Sequence, residues 1–178
     1  NGTYIILDCP ASAKASTRMG TGFEDWMTAN TKWEQLDHQY IDNFSQEIAN
    51  TTMRDLLTKY DNITAVYGAT DDIAMGAVQA IQAAGRDGIL VWGQTGFYNA
   101  FLAIEDGSMY GTSWCDVYAQ YQSIVSTALY LIKTGITAAN AGYTETPVIN
   151  CALIAVTKDN VDQLLPLSRW TYESDYVK

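Results

Sequence analysis

The sequence predicts an α/β fold: one doubly wound parallel sheet of flavodoxin-like strand order 2-1-3-4-5. Two observations carry this. Short apolar runs of strand length alternate along the chain with segments whose apolar residues recur at helical spacing. Within that alternation, residues 63–85 hold a complete strand–turn–helix unit. Ile63-Thr64-Ala65-Val66-Tyr67-Gly68 is an apolar run closed by glycine, and apolar residues follow at 73, 74, 77, 78, 81 and 84. Thr70, Asp71 and Asp72 put oxygens and negative charge at the helix start, and Gly85 stops the helix. The polar groups of this turn stand at the carboxyl end of the strand, where open α/β sheets bind ligands.

Taken in order, the chain opens on Thr3-Tyr4-Ile5-Ile6-Leu7, a buried strand that Pro10 ends. Residues 16–30 form a helix with Phe23, Trp26 and Met27 on its inner face. A second strand at 33–40 carries His38, the single histidine, and a helix over 43–60 buries Ile48, Leu56 and Leu57. The 63–85 unit comes third. Residues 88–93 make a fourth strand, Gln94 and Thr95 fall in the turn after it, and a short helix runs through Phe101 and Ile104 to Gly107. Residues 110–114 are the fifth strand. A strong helix at 117–133 follows, with Tyr121, Ile124, Val125, Ala128, Leu129 and Ile132 among its apolar residues. Then come a soft Gly/Ala/Asn stretch at 135–142, a strand at 148–156, a helix at 159–165 and a polar, aromatic tail. One extra helix and strand are too little for a second domain; they read as a piece of one.

Composition narrows the function. Of 178 residues, 48% are hydrophobic and 17% charged, which is globular. The net charge is −10 and the lysines and arginines are scattered, so no basic face exists to meet nucleic-acid phosphates. No apolar run approaches the roughly 20 residues of a membrane helix. No signal pattern opens the sequence, and a start at Asn1, just before a strand, reads as a mature or trimmed chain. Three cysteines, Cys9, Cys115 and Cys151, do not form a disulfide framework.

Catalytic and cofactor motifs are missing. Gly20-x-Gly22 is followed by Asp25 where a dinucleotide fingerprint needs glycine, and no strand directly precedes it. There is no Walker loop and no Cys-x-x-Cys, and Ala15 stands where a phosphatase loop would carry arginine. One histidine cannot assemble a zinc site. A Cys9–His38 pair on adjacent strands weighs little, because cysteine is usually a small buried hydrophobe. No cofactor and no catalytic residue is expected. The Asn-x-Ser/Thr sequons at Asn1, Asn43, Asn50 and Asn62 carry little information.

Several segments together resemble a known family. They are Arg18-Met19-Gly20-Thr21-Gly22-Phe23, Thr52-Met53-Arg54-Asp55-Leu56-Leu57 leading to Ile63-Thr64-Ala65-Val66, and the block from Thr70 to Gly85. Further on stand Val91-Trp92-Gly93-Gln94-Thr95-Gly96, Ala103-Ile104-Glu105-Asp106-Gly107-Ser108-Met109 and Val156-Thr157-Lys158-Asp159-Asn160-Val161. In this order and spacing the chain resembles the C-terminal part of a type I periplasmic sugar-binding protein, the ribose-binding type of ABC-transporter receptor.

That resemblance implies two similar lobes joined by three crossings, with ligand in the cleft between them. Residues 1–113 would be the second lobe. Residues 114–178 would hold a hinge crossing, a helix belonging to the first lobe, a returning strand and the tail, with most of the first lobe outside this sequence. It implies that Phe44 stacks on a sugar face, whose C–H groups suit the negative face of the ring. It places Thr70 where the family often has asparagine, followed by Asp71 as ligand contact or helix cap. Gln94 and Thr95 stand in a turn that commonly carries an aspartate, as ligand groups or plain turn residues. Trp114 and Asp116 mark the crossing, the tryptophan stacking on ligand or lying in the core, the aspartate accepting from sugar hydroxyls. Arg18 lies one place before the usual ligand-binding arginine. Cys115 and Cys151 come side by side at the hinge, with their thiols expected in the reduced state.

The expected function is an extracytoplasmic receptor, soluble or lipid-anchored, that delivers a neutral sugar-like ligand to an ABC transporter permease. Its contact with membrane is only through an anchor or that transporter. The effector-binding domain of a sugar-responsive repressor is the alternative, and an enzyme on a flavodoxin-like sheet is disfavoured. The chain alone is expected to bind ligand weakly and to self-associate, the apolar arc of 117–133 either folding back over its own lobe or being buried against a second copy in a homodimer.

Overall fold

A computed structural model describes residues 2–137 and 153–167. The strands are β1 (Thr3–Asp8), β2 (Glu34–Tyr40), β3 (Ala65–Gly68), β4 (Leu90–Thr95), β5 (Gly111–Cys115) and β6 (Leu153–Thr157). The helices are α1 (Lys14–Asn30), α2 (Gln46–Lys59), α3 (Asp71–Ala83), α4 (Tyr98–Asp106), α5 (Val117–Thr134) and α6 (Val161–Leu164). One sheet runs in the order β2-β1-β3-β4-β5-β6. All neighbouring pairs are parallel except β5 with β6. The predicted order of five strands is what forms, and β6 adds an antiparallel edge.

The chain first steps from β1 outward to β2, then back past β1 to β3, β4 and β5. This reversal makes a switch point between the carboxyl ends of β1 and β3, where the helices that follow diverge and leave a crevice. Tyr67 of β3 pairs with Ile6 on one side and Trp92 on the other, and Gln94 pairs with Ser113, so the carboxyl ends of the strands line up along one edge.

Strand β1 is buried almost throughout, as befits a parallel strand covered on both faces. On one face, Phe23 of α1 stacks on Tyr67 with ring centroids 4.5 Å apart and meets Tyr4 edge-on at 5.6 Å. On the other, α2 and α3 pack against each other, and α3 buries Ile73, Ala74, Ala77, Val78, Ala80 and Ile81. The small alanines let α3 sit close to both the sheet and α2. The isoleucines supply the apolar area, at about 1.5–3 kcal/mol for each fully buried side chain. Helix α4 contributes Ala100, Phe101, Ala103 and Ile104 to the core, and Val156 and Val161 close its end beside β5.

Several details depart from the sequence-based expectations. Trp26 and Ile48 are exposed. Helix α2 buries Ala49, Met53, Leu56 and Leu57, a stripe at i, i+4, i+7 and i+8, and Ile48 lies one residue off it. In α1 the buried side is set by Met27 with Phe23 one turn before it, and Trp26 overhangs. Helix α2 starts at Gln46, because Asp42–Phe44 form a separate 3-10 turn. Strand β4 begins later than expected and includes Gln94 and Thr95, which pair with Ser113 and Trp114 instead of lying in the turn. The neighbouring strand supplies ladder hydrogen bonds that local propensity does not foresee. The helix expected at 159–165 is α6 followed by a 3-10 turn at Leu165–Leu167. Residues 148–152 of the predicted sixth strand, Cys151 with them, and the tail after 167 lie outside the described residues.

Helix α5 is the element that does not join the core. It follows β5 directly and buries none of its residues. Tyr118, Tyr121, Ile124, Val125, Leu129, Tyr130 and Ile132 are all exposed. No helix among the described residues is long and apolar enough to cross a membrane.

Candidate functional site

The carboxyl edge of the sheet gathers most of the side chains singled out in the sequence, and each is held by its own strand–helix turn. After β2, Asn43 and Phe44 both adopt left-handed backbone conformations, φ 56° and 55°. Such conformations are uncommon for non-glycine residues and cost energy, most for bulky ones. They project Phe44 from the 3-10 turn, where it is 39% exposed. Ser45 then caps α2, its hydroxyl accepting from the Ile48 N–H at 3.3 Å.

After β3, the N-cap of α3 is Thr70, whose hydroxyl accepts from the Ile73 N–H at 3.3 Å. Asp71 is therefore not the cap, as one reading of the sequence had it. Its side chain points inward, 0% exposed. One carboxylate oxygen accepts from the backbone N–H groups of Gly96 and Phe97, each at 2.6 Å, and the other from the Thr112 hydroxyl at 2.6 Å. Burial pushes the Asp71 pKa above the usual carboxylate value, the three donors pull it back only in part, and Asp72 adds to the rise.

At the end of β4, Thr95 sits at φ 124°, and Gly96, just after the strand, at φ 84°. Gly96 cannot carry a side chain, because a Cβ there would run into the Trp114 ring. Trp114 is 7% exposed and stands edge-on to Phe101 at 5.9 Å, so it packs as a core residue behind the turn. Asp116 caps α5, accepting from the Ala119 N–H at 3.1 Å. Arg18 is exposed on the first half of α1, which rises from the same edge.

The profile of the periplasmic binding protein domain matches residues 1–136. The chain belongs to that family. Among its curated relatives, the D-apiose import binding protein of Paraburkholderia graminis is 32% identical over 164 residues, covering 92% of this chain and 50% of its own length. The ribose import binding protein of Escherichia coli (strain K12) is 32% identical over 108 residues, or 61% of this chain and 36% of that protein. The chain thus spans between about a third and a half of the curated relatives it matches. Among solved structures, a periplasmic ribose ABC transporter protein from Conexibacter woesei superposes with TM-score 0.82 at 20% identity, covering 93% of this chain and 53% of that one. A periplasmic solute binding protein from Actinobacillus succinogenes with bound D-allose gives 0.81 at 24% identity, covering 92% and 54%. At these identities the structural likeness is one of fold.

In this periplasmic binding protein domain, two further residues lie beneath the edge that the sequence reading did not select. Asp8, the last residue of β1, is 1% exposed; its carboxylate accepts from the Cys9 N–H at 2.8 Å and meets His38 Nε2 at 3.2 Å. A Cβ at Gly20 would collide with that carboxylate, so α1 seats on the sheet only through glycine there. His38 pairs with Asp8, and Glu24 Oε2 stands 3.9 Å from its other ring nitrogen. The second residue is Tyr67, whose hydroxyl donates to Gln94 Oε1 at 2.8 Å. Burial, with the negative Asp8 and then Cys9 nearby, pushes the Tyr67 pKa up, so the phenol stays a donor. Asp8 was findable as a polar strand end at the switch point. Tyr67 was hidden inside an apolar run.

Proposed function

We propose that this chain is the second lobe and hinge region of an extracytoplasmic receptor that binds a sugar or sugar-like neutral small molecule and hands it to an ABC transporter permease. Residues 1–113 form the lobe, and residues 114–178 carry the crossing, a helix that packs on the first lobe, the returning strand and the tail. The observation that carries the reading is the carboxyl edge itself. A strained turn after β2 holds an exposed aromatic ring, Phe44, and the strained end of β4 carries a pair of neutral polar groups, Gln94 and Thr95, beside the switch point. Ring plus neutral donors and acceptors is the chemistry of a polyhydroxylated ligand.

In this reading Phe44 stacks on the ligand, and Thr70, Gln94, Thr95, Asp116 and Arg18 offer hydrogen bonds from the rim. Asp71 and Trp114 support the turn from behind. The net charge of −10 disfavours an anionic ligand at long range. The relatives are import binding proteins, which favours a receptor over a repressor effector domain or an enzyme. Extracytoplasmic placement and any lipid anchor follow from the receptor reading.

The test is calorimetry on the intact receptor with D-ribose, D-allose, D-apiose, xylitol and myo-inositol beside sugar phosphates. Binding of at least one free sugar or polyol is expected. Tight binding of sugar phosphates alone would overturn the reading.

A further inference from the structure

Asp71 accepts three hydrogen bonds inside the protein, two of them from successive amides just after β4. Gly96 and Phe97, whose N–H groups it accepts, immediately follow Thr95, and Thr112 anchors its other oxygen to β5. Thr95 is held at φ 124°, a conformation that persists in a non-glycine residue only where its surroundings enforce it. Two contacts enforce it here. Trp114 fills the space against Gly96, and the Asp71 carboxylate grips the next two amides through short, charge-assisted hydrogen bonds. The Tyr67 hydroxyl meanwhile occupies the amide oxygen of Gln94, so what Gln94 has left to offer is its N–H2 donor.

We propose that Asp71 is the positioning residue of the ligand edge: without touching ligand, it holds the strained end of β4 at Thr95 and thereby aims Gln94 and Thr95. The inference rests on reading this edge as the ligand site. It also assigns chemistry to the site, since with its oxygen held by Tyr67 the Gln94 side chain has only N–H groups to offer. A ligand oxygen that accepts, such as a ring oxygen or a hydroxyl acting as acceptor, sits against β4.

The substitution Asp71→Asn separates positioning from ligand contact. An asparagine keeps every bond: its Oδ1 accepts from Gly96 and Phe97, and its Nδ2 donates to Thr112, whose hydroxyl turns from donor to acceptor. A carboxylate that contacted ligand would lose its charge. The experiment is isothermal titration of the intact receptor with D-ribose, D-allose and myo-inositol, well below the melting temperature of each variant. Asp71→Ala is expected to weaken binding by about tenfold or more, equivalent to about 1.4 kcal/mol, with Asp71→Asn recovering most of that loss. Thr112→Val, which removes one bond at a fully buried position, is expected to fall between them and serves where Asp71→Ala does not fold. Equal loss in Asp71→Asn and Asp71→Ala would overturn the proposal in favour of direct contact. Unchanged affinity in Thr112→Val and Asp71→Ala would overturn it in favour of a structural role. If the unmodified receptor binds none of the three probes while its fold is intact, the ligand reading fails first and the inference falls with it.

Discussion

Helices α3 and α5 draw on the same apolar side chains and end up in opposite situations. Eight residues of α3 are buried, among them Ile73, Ala77 and Ile81, whereas α5 buries none although Ile124, Val125, Leu129 and Ile132 recur at helical spacing. The difference lies in the surroundings. Helix α3 has the sheet beneath it and α2 beside it, and both are made by residues close by in sequence. Helix α5 leaves the last parallel strand with no layer to pack on among the described residues. An apolar arc says that a helix has a partner; it does not say that the partner belongs to the same stretch of chain. On the lobe arrangement proposed above, the partner of α5 is the first lobe.

The largest effect expected from this contrast is on oligomeric state. With its arc uncovered, this chain on its own is expected to self-associate, because a contiguous patch of large apolar residues is an unfavourable monomer surface. Light scattering should report a dimer or larger, and the double substitution Ile124→Glu with Leu129→Lys should return it to a monomer. A clean monomer without those changes would remove the contrast between the two helices.

Stability gives the next effect. Ile73→Ala should cost about 2–5 kcal/mol, since it empties a fully buried site. Ile124→Ala, measured in urea on monomeric protein, should stay within about 0.5 kcal/mol. Equal costs would mean that α5 packs on this lobe after all.

The smallest effect concerns pH at the start of α3. The folded pKa of Asp71 is raised by burial, so between its unfolded and folded values the native state holds more protons than the unfolded one. Its contribution to stability is then present at low pH and lost as pH rises through that window. Asp71→Asn removes this dependence. The variant is expected to melt higher than the unmodified chain at neutral pH, with the gap closing towards acid pH. A gap that widens on acidification would mean that the three donors outweigh burial.

The sheet was legible because alternation of apolar runs and helical spacing is a local signal, and strands Thr3–Asp8 and Ala65–Gly68 fell where those runs are. What could not be read was decided by partners distant in sequence. Asp71 looks like a cap until Gly96, Phe97 and Thr112 come within 2.6 Å of it. Gln94 and Thr95 look like turn residues until Ser113 and Trp114 extend the ladder beside them. Phe44 was reached through resemblance to the family, while its projection depends on the backbone at Asn43 and Phe44, which composition does not reveal.

The register between β5 and β6 has a consequence of another kind. Cys115 and Leu153 face each other across the antiparallel ladder, so the chain departs from the sheet and re-enters it through neighbouring doorways. Everything between those two residues is, in topological terms, spliced into a sheet whose five parallel strands are already in order. Antiparallel neighbours need only a tight turn to join them. The same doorways therefore accept a short hairpin loop or an entire domain without disturbing Asp8, Tyr67 or Gln94 on the strands within. On the lobe arrangement proposed above, a lobe built this way can exchange its companion while keeping its own half of the proposed binding surface.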